Sequence, residues 1–564
     1  MLTVDPITKS FMEEFSSKHE FNNKSIPDKF ELFSNYCVVS KEYNRTSFNV
    51  EDTLTGEATQ GIDGLAIIVN NKLVKSTNEI DDLIELNGVL NVNFIFIQSK
   101  TSSKFDNKEI LNFFAWTKSF FKSPTQFETT EMAHFIELKE YIYQKSEYME
   151  ERSPICRMYF ITTGKWLDDG NLSHVVKSNI DEMENTNLFE KVIFTPCGAK
   201  EIQQMYRKTK EHATATILFE KRVTLPKIPK VKEAYFGLIP FSEFRKIIID
   251  ETDKIKNVFD DNIRDFLGLN NDVNDEIKVT ISNNRDFFSI LNNGITVVAE
   301  KTSGAGDTIT IANYQIVNGC QTSHVLYDCR NTENINNVAV PLKVIITEDD
   351  DIKNQITIAT NNQTAVKKEE LEALSDFQRN LESYYNTIDG ENKLYYERRT
   401  NQYNNSTVQK TRIVNIPTQI KTFTAMFLNN PHGVSGYYGT IARKMGTRIF
   451  RLDHEYDPYY ISALAMYKLD VLFRTNKLPK QARRMRHHIL MLARLKVAGN
   501  DMPEFNSKKI TTYCKPLLEV LGDSEKYQTL FEEIIDIIEK APINLEDRKV
   551  FEKKETTDIL LSQL

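Results

Sequence analysis

Cysteine is scarce in this chain, and the six that occur stand far apart. Cys37, Cys156, Cys197, Cys320, Cys329 and Cys514 form no Cys-x-x-Cys pair and no Cys/His cluster, so neither a zinc site nor a disulfide framework is supported. A reduced compartment, the cytoplasm, is the expectation. Long hydrophobic runs are missing too: nothing approaches the roughly 20 apolar residues of a membrane helix. Met1 to Phe21 carries Glu13 and Glu14 where a secretory signal would have an apolar core, so no such signal is expected. No repeat of fixed period and no low-complexity tract occurs. Positive charge is in deficit, with 71 Lys and Arg against 79 Asp and Glu, a net charge of −8. This argues against a chain coated in basic surface, though a local basic groove can act within an acidic protein.

What is present is ordinary for a globular chain: 40% hydrophobic and 27% charged residues over 564 positions. That length suggests about 3 or 4 domains. Lys29–Glu42 reads as an amphipathic helix, with Phe30, Phe33, Tyr36 and Cys37 at helical spacing. Strands are expected over 61–69, 93–100, 157–162 and 191–195. Helices are expected near 81–86 and over 108–122, 130–148 and 199–211. Together these describe one α/β domain over residues 1–213. The Pro-punctuated, basic run through Leu225-Pro226-Lys227-Ile228-Pro229-Lys230 reads as part of a linker over 214–233. A second α/β unit is expected over 234–455, with strands over 294–299, 308–317 and 338–347. A helical region over 456–564 follows.

The densest chemistry lies in two short strands. Gly61-Ile62-Asp63-Gly64 opens one, and Gln98-Ser99-Lys100 closes the next. Paired antiparallel, the start of one adjoins the end of the other. Strand alternation then places Gln98 and Lys100 on one face and Ser99 opposite. A carboxylate, an amide oxygen and an ammonium gathered there suit a divalent metal and a scissile phosphate. Glu31, on the preceding helix, is a candidate further ligand, and Glu42 a weaker one. The competing reading makes Asp63 a turn residue and Lys100 a solvated strand end.

Two other stretches stand out. Ile316-Val317-Asn318-Gly319-Cys320-Gln321-Thr322-Ser323 is an apolar strand, a tight turn and a helix start, whose free N–H groups suit an anion. Asn361, Asn362, Gln363, Arg398 and Arg399 could border the same pocket; the alternative is a plain turn and cap. From Val471 to Asn500 eight Lys and Arg residues occur with no Asp or Glu. Arg483, Arg484 and Arg486 form its densest cluster, either a phosphate-tracking surface or a structural face paired with acidic neighbours. His324 and the His487-His488 pair read as structural residues. Phe113, Phe114, Trp116 and Phe120 read as core rather than a base-stacking platform.

Ordered matches along most of the chain resemble the abortive infection phage resistance (AIPR) family. They are Gly61–Gly64, Phe94–Lys104, Ile161–Trp166, Asn292–Thr296, Ile316–Ser323, Asn361–Gln363 and Tyr395–Arg399. The N-terminal part also resembles the PD-(D/E)xK nuclease fold in the variant where Gln replaces the second acidic residue. The resemblance implies a restriction-endonuclease-like mixed sheet with flanking helices, a central α/β AIPR core and a helical C-terminal region. It puts Asp63 in the metal-binding Asp position, Gln98 in the second ligand position, Lys100 in the catalytic Lys position and Glu31 in the helix Glu position. The Asn318-Gly319 segment falls in the family's defining core and looks loosely like ParB-type nucleotide-binding domains.

The expected function is therefore an Mg²⁺- or Mn²⁺-dependent endonuclease acting on DNA in bacterial anti-phage defence. The central core would sense, gate or dimerise, with a homo-oligomer among the expectations. The alternatives are a non-catalytic phage-sensing or nucleotide-binding protein, and a nuclease directed at RNA.

Overall fold

The computed structural model describes residues 4–43, 46–56, 61–122, 127, 130–149, 154–167, 170–211, 213–251, 253, 255–256, 258–259, 272–361, 368–398, 402–403, 406–545, 547 and 549–563. It comprises two compact units, residues 1–210 with 380–449 and 453–564, and residues 211–379 with 450–452.

The first unit begins with helices α1 (Pro6–Lys18) and α2 (Ile26–Tyr43). Strands β1 (Gly64–Val69), β2 (Lys72–Leu73), β3 (Val92–Lys100), β4 (Ile155–Thr162) and β5 (Lys191–Cys197) follow, with α3 (Thr77–Asn87) between β2 and β3. Helices α4 (Asn107–Phe121) and α5 (Thr130–Gln144) lie between β3 and β4, α6 (Gly170–Glu184) between β4 and β5, and α7 (Ala199–Lys208) after β5. The sheet order is β2-β1-β3-β4-β5. β1 runs antiparallel to β3, while β3, β4 and β5 are parallel. Both faces are covered, so the strands are apolar throughout rather than alternating with polar residues. Period-2 geometry sorts the side chains between two cores. Ala66, Ile68, Ile95 and Ile97 pack with Phe30, Phe33 and Cys37 of α2 on one face. Leu65, Ile67, Phe94, Phe96 and Phe160 pack with Phe113, Phe114 and Phe120 of α4 on the other. Each such aromatic contributes about 1.5–3 kcal/mol on burial.

The second unit is a six-stranded sheet in the order β6-β10-β9-β11-β8-β7. Its elements are β6 (Thr214–Leu218), β7 (Lys221–Thr224), β8 (Glu233–Pro240), α8 (Phe241–Ile248), α9 (Asp272–Asn283), α10 (Phe288–Leu291), β9 (Ile295–Ala305), β10 (Thr308–Asn318), α11 (Cys320–Asp328), β11 (Ala339–Ile346) and α12 (Asp350–Asn361). β9 and β11 are parallel and the other pairs antiparallel. The linker expected over 214–233 is thus corrected: its residues supply β6, β7 and the start of β8. In β6, Ala215 and Ile217 are buried while Thr214, Thr216 and Leu218 are exposed, the alternation of a half-covered edge strand.

Helix α13 (Lys368–Asn386) crosses the boundary at residue 379, and the chain then adds to the first unit. There β12 (Tyr395–Glu397) pairs in parallel with β13 (Ile413–Asn415). Helices α14 (Ile416–Phe427), α15 (Tyr438–Met445), α16 (Asp457–Arg474), α17 (Arg486–Ala498), α18 (Lys509–Leu521), α19 (Ser524–Lys540) and α20 (Lys554–Leu561) complete it. They are tied to the N-terminal part by Lys421 with Glu79 at 2.8 Å and Arg474 with Glu20 at 2.6 Å. Residues 380–449, expected within the central domain, therefore belong to the compact unit of the N-terminal sheet. Among the described residues, no helix is long and apolar enough to cross a membrane.

Candidate functional site

The antiparallel ladder of β1 and β3 pairs Gly64 with Ile97, so Asp63 and Gln98 meet just beyond its end. The Asp63 amide donates to the Ile97 carbonyl at 2.9 Å, which fixes the backbone of the acidic residue. Its neighbour Gly61 has φ +73°, and a Cβ there would collide with Trp116 of α4. Only glycine meets both demands. The Phe-rich helix beneath the sheet thus holds the loop that carries the carboxylate.

Three donors converge on Asp63 Oδ2: Gln98 Nε2 at 2.8 Å, the Ser99 amide at 2.7 Å and Ser99 Oγ at 3.0 Å. The placement of Ser99 on the far face is corrected in its consequence. Backbone N–H groups lie in the plane of a sheet, and Asp63 sits in that plane at the ladder's end, where it reaches both neighbours. Among the described residues no hydrogen bond reaches Asp63 Oδ1. Burial pushes the Asp63 carboxyl above the usual carboxylate range, opposed by the Ser99 amide and the Lys100 charge. Gln98 is 1% exposed, and its Oε1 is buried without a hydrogen-bond partner. An orphaned buried acceptor is costly unless something electropositive faces it.

Lys100 ends β3 and is part-exposed, with Nζ 3.3 Å from Glu109 Oε2 of α4. Glu109 lies outside the set expected from sequence; an acid on the helix that follows the strand is the signal that could have found it. On α2, Asn35 is fully buried, packs against Gly64 and leaves both its side-chain polar atoms unpaired. Glu31 lies one turn before Asn35 on the same helix face, and is half-buried. Glu42 is a different matter. It pairs with Arg157 Nε at 3.4 Å and accepts from the Tyr159 hydroxyl. Three turns from Glu31, roughly 16 Å along α2, it anchors the helix to β4.

An orphaned amide oxygen beside a half-buried carboxylate with one oxygen free of hydrogen bonds fits a hard divalent cation. Among the described residues no cluster of three His, Cys, Asp or Glu side chains stands ready for a metal. Mg²⁺ sites, however, use one or two protein carboxylates with water and substrate phosphate completing the shell.

The other expected groups do not share one unit. Asn318 ends β10 and Gln321 opens α11, in the second unit. Gly319 between them has φ +86°, and a Cβ would lie 2.7 Å from Ile295 Cγ1. Ser323 is not the cap; its Oγ donates back to the Gly319 carbonyl at 2.8 Å. Asn361 closes α12, and Asn362, Gln363 and Arg399 lie outside the described residues. Arg398 belongs to the first unit, where Nε bonds Glu382 at 2.9 Å and the amide bonds Gln402 at 3.2 Å.

The basic stretch is engaged within the fold. Arg483 bonds Glu51 at 2.8 Å, and Arg484 bonds the Leu545 carbonyl. The charges of Arg486 and Arg483 act on half-buried Asp52 and Asp470. Arg494 is 1% exposed and bonds Met426 O at 2.7 Å and Asn429 Oδ1 at 2.6 Å. His488 is likewise structural, 3.2 Å from Thr557 Oγ1.

No curated protein and no solved structure matches the chain. A family profile described as AIPR protein matches residues 259–544, more than half of the 564 residues. The match begins in the second unit and runs deep into the helices of the first, so the chain belongs to the AIPR family, the abortive infection proteins of phage defence.

Proposed function

We propose that this protein is a metal-dependent nuclease that hydrolyses phosphodiester bonds of DNA as its part in phage defence. The observation that carries the reading is the meeting of Asp63 with Gln98-x-Lys100 at one ladder end, with the Gln98 oxygen buried and unpartnered. Mg²⁺ or Mn²⁺, held by Asp63 and Gln98 with Glu31 as a further ligand, would polarise the phosphate and lower the pKa of the attacking water.

The chain's own residues supply the rest. Ser99 fixes Asp63 through two bonds to one oxygen and leaves the other oxygen for the site. The Gln98 amide nitrogen is spent on Asp63, which turns its oxygen toward a cation. Lys100 holds a positive charge at the developing phosphorane, where a fixed cation is worth most. Its pairing with Glu109 is part-exposed, and such pairs are weak enough to exchange for a phosphate.

A second reading, a non-catalytic sensor, is favoured by one observation: Gln98 is neutral, and among the described residues no three-ligand cluster exists. Digestion of plasmid, linear and single-stranded DNA and of RNA, with Mg²⁺ or Mn²⁺, decides between them. Asp63→Ala and Lys100→Ala should each lower cleavage on the order of 10²-fold or more while the protein stays folded. Equal degradation by wild type and Lys100→Ala would remove the nuclease reading.

A further inference from the structure

The parallel strands β3, β4 and β5 end side by side, with Lys100 opposite Thr162 and Ile161 opposite Cys197. Three loops leave that edge, and they are tied to one another. The Thr163 amide donates to Ser102 O at 3.1 Å, and Thr163 Oγ1 to Thr101 O at 3.2 Å. The Ala199 amide donates to Gly164 O at 2.9 Å. Gly164 lies so close to Ser103 O, and Gly198 to Gly164 O, that a Cβ at either would collide with backbone. The edge is therefore one rigid rim beside Asp63 and Lys100.

An exposed lysine follows each strand: Lys104 in the loop after β3, Lys165 in the loop after β4 and Lys200 in the first turn of α7 after β5. Among the described residues, none of the three has an ion-pair partner. Among the described residues, the acids of this rim have partners within the fold. Asp106 Oδ1 caps α4 by accepting from Lys108 N and Glu109 N, Glu109 pairs with Lys100, and Glu201 Oε2 accepts from the Gly198 amide. Across parallel strands spaced about 4.8 Å apart, three cations line the edge of the site.

We propose that this rim, Lys104, Lys165 and Lys200, is the surface that takes the phosphodiester backbone of a nucleic acid and leads it to Asp63 and Lys100. The inference rests on the nuclease reading for what happens at the site, but not for the binding itself. It also replaces the Arg483–Arg486 run, whose charges are engaged within the fold.

The test is fluorescence anisotropy of a labelled DNA duplex over a range of salt concentrations, in EDTA so that no cleavage intervenes. Lys104→Ala/Lys165→Ala/Lys200→Ala should bind more weakly, and the slope of log K against log salt should fall by about 2 to 3, near 0.9 for each phosphate that is no longer neutralised. Melting temperature should be unchanged, since all three side chains are exposed. A triple variant with the wild-type slope overturns the rim, whether or not the protein cleaves. Binding that depends on the lysines without any cleavage supports the rim and removes the nuclease reading instead. Absence of any binding by wild type overturns the rim.

Discussion

Asp63 serves two ends that conflict in the protein without a cation. Its Oδ2 is the anchor for Gln98 and Ser99, which ties two strand ends together. Its charge is unwelcome there, because burial raises its pKa. A carboxyl whose folded pKa lies above its unfolded value is destabilising once ionised, so the penalty is present at neutral pH and relieved as pH falls through the folded pKa. Asp63→Asn keeps an acceptor for the same donors and removes the charge. It should raise stability at neutral pH by about 1 kcal/mol while abolishing cleavage. Gln98→Glu moves the other way: two adjacent carboxylates repel, so the metal-free protein should melt lower, yet Mg²⁺ should raise its melting temperature more than it raises that of wild type. Thermal melts with and without Mg²⁺ read both effects. An identical Mg²⁺ response in wild type and Gln98→Glu would rule out position 98 as a ligand. Asp63, Gln98 and Lys100 are legible in the sequence because a turn residue, an apolar run and a polar strand end follow one another. Asn35 and Ser99 are not, since their role depends on which backbone they face.

At the scale of elements, the Arg483–Arg486 turn shows how charge misleads when partners are distant. Glu51 lies more than 400 residues before Arg483, so no local pattern announces the pair. Glu51 is 7% exposed, and removing Arg483 leaves that carboxylate buried and unpaired. Breaking a buried pair from one side costs about 3–5 kcal/mol. Arg483→Ala/Arg484→Ala/Arg486→Ala should therefore lower the urea midpoint sharply, with the DNA affinity of its folded fraction unchanged. A variant of wild-type stability with weakened DNA binding would return this run to the nucleic-acid surface. Elements with strong periodicity are legible to within a residue, or three at the start of α2: α2, α4, β3 and β11 each have an apolar pattern that no competing signal disturbs. The strands at 214–224 are hidden by the prolines that follow them. Pro226 and Pro229 lie in the connection between β7 and β8 and mark that turn, not a gap between domains. The assembly of residues 380–449 and 453–564 with the N-terminal sheet is also beyond reach, because such packing leaves no local pattern in the sequence.

The whole molecule carries a pH dependence in histidines buried in two different parts of the first unit. His19 is 6% exposed, with its ring 4.4 Å from that of Phe15 and 4.9 Å from that of Tyr36. Desolvation, helped by the charges of Lys410, Arg474 and Lys18, pushes its pKa down to about 3. His488 is 1% exposed near Thr557 and Phe551, and desolvation with His432 pushes it down to about 3 as well. Both groups are neutral in the folded protein over a range where the unfolded chain binds protons. Between about pH 6.5 and pH 3 the unfolded state holds more protons, so stability rises with pH across that window and is fully present above it. Each histidine contributes a slope of up to about 1.4 kcal/mol per pH unit. His19 packs α1 against α2, the helix that carries Glu31 and Asn35, while His488 sits on α17. Protonation of either should therefore loosen a different part of one cooperative unit. Urea unfolding at pH 7, 6, 5 and 4 should show falling stability in wild type. His19→Phe, which keeps the aromatic packing without a titrating nitrogen, should flatten the curve. If His19→Phe follows the wild-type slope across pH 4 to 6, the acid lability lies elsewhere.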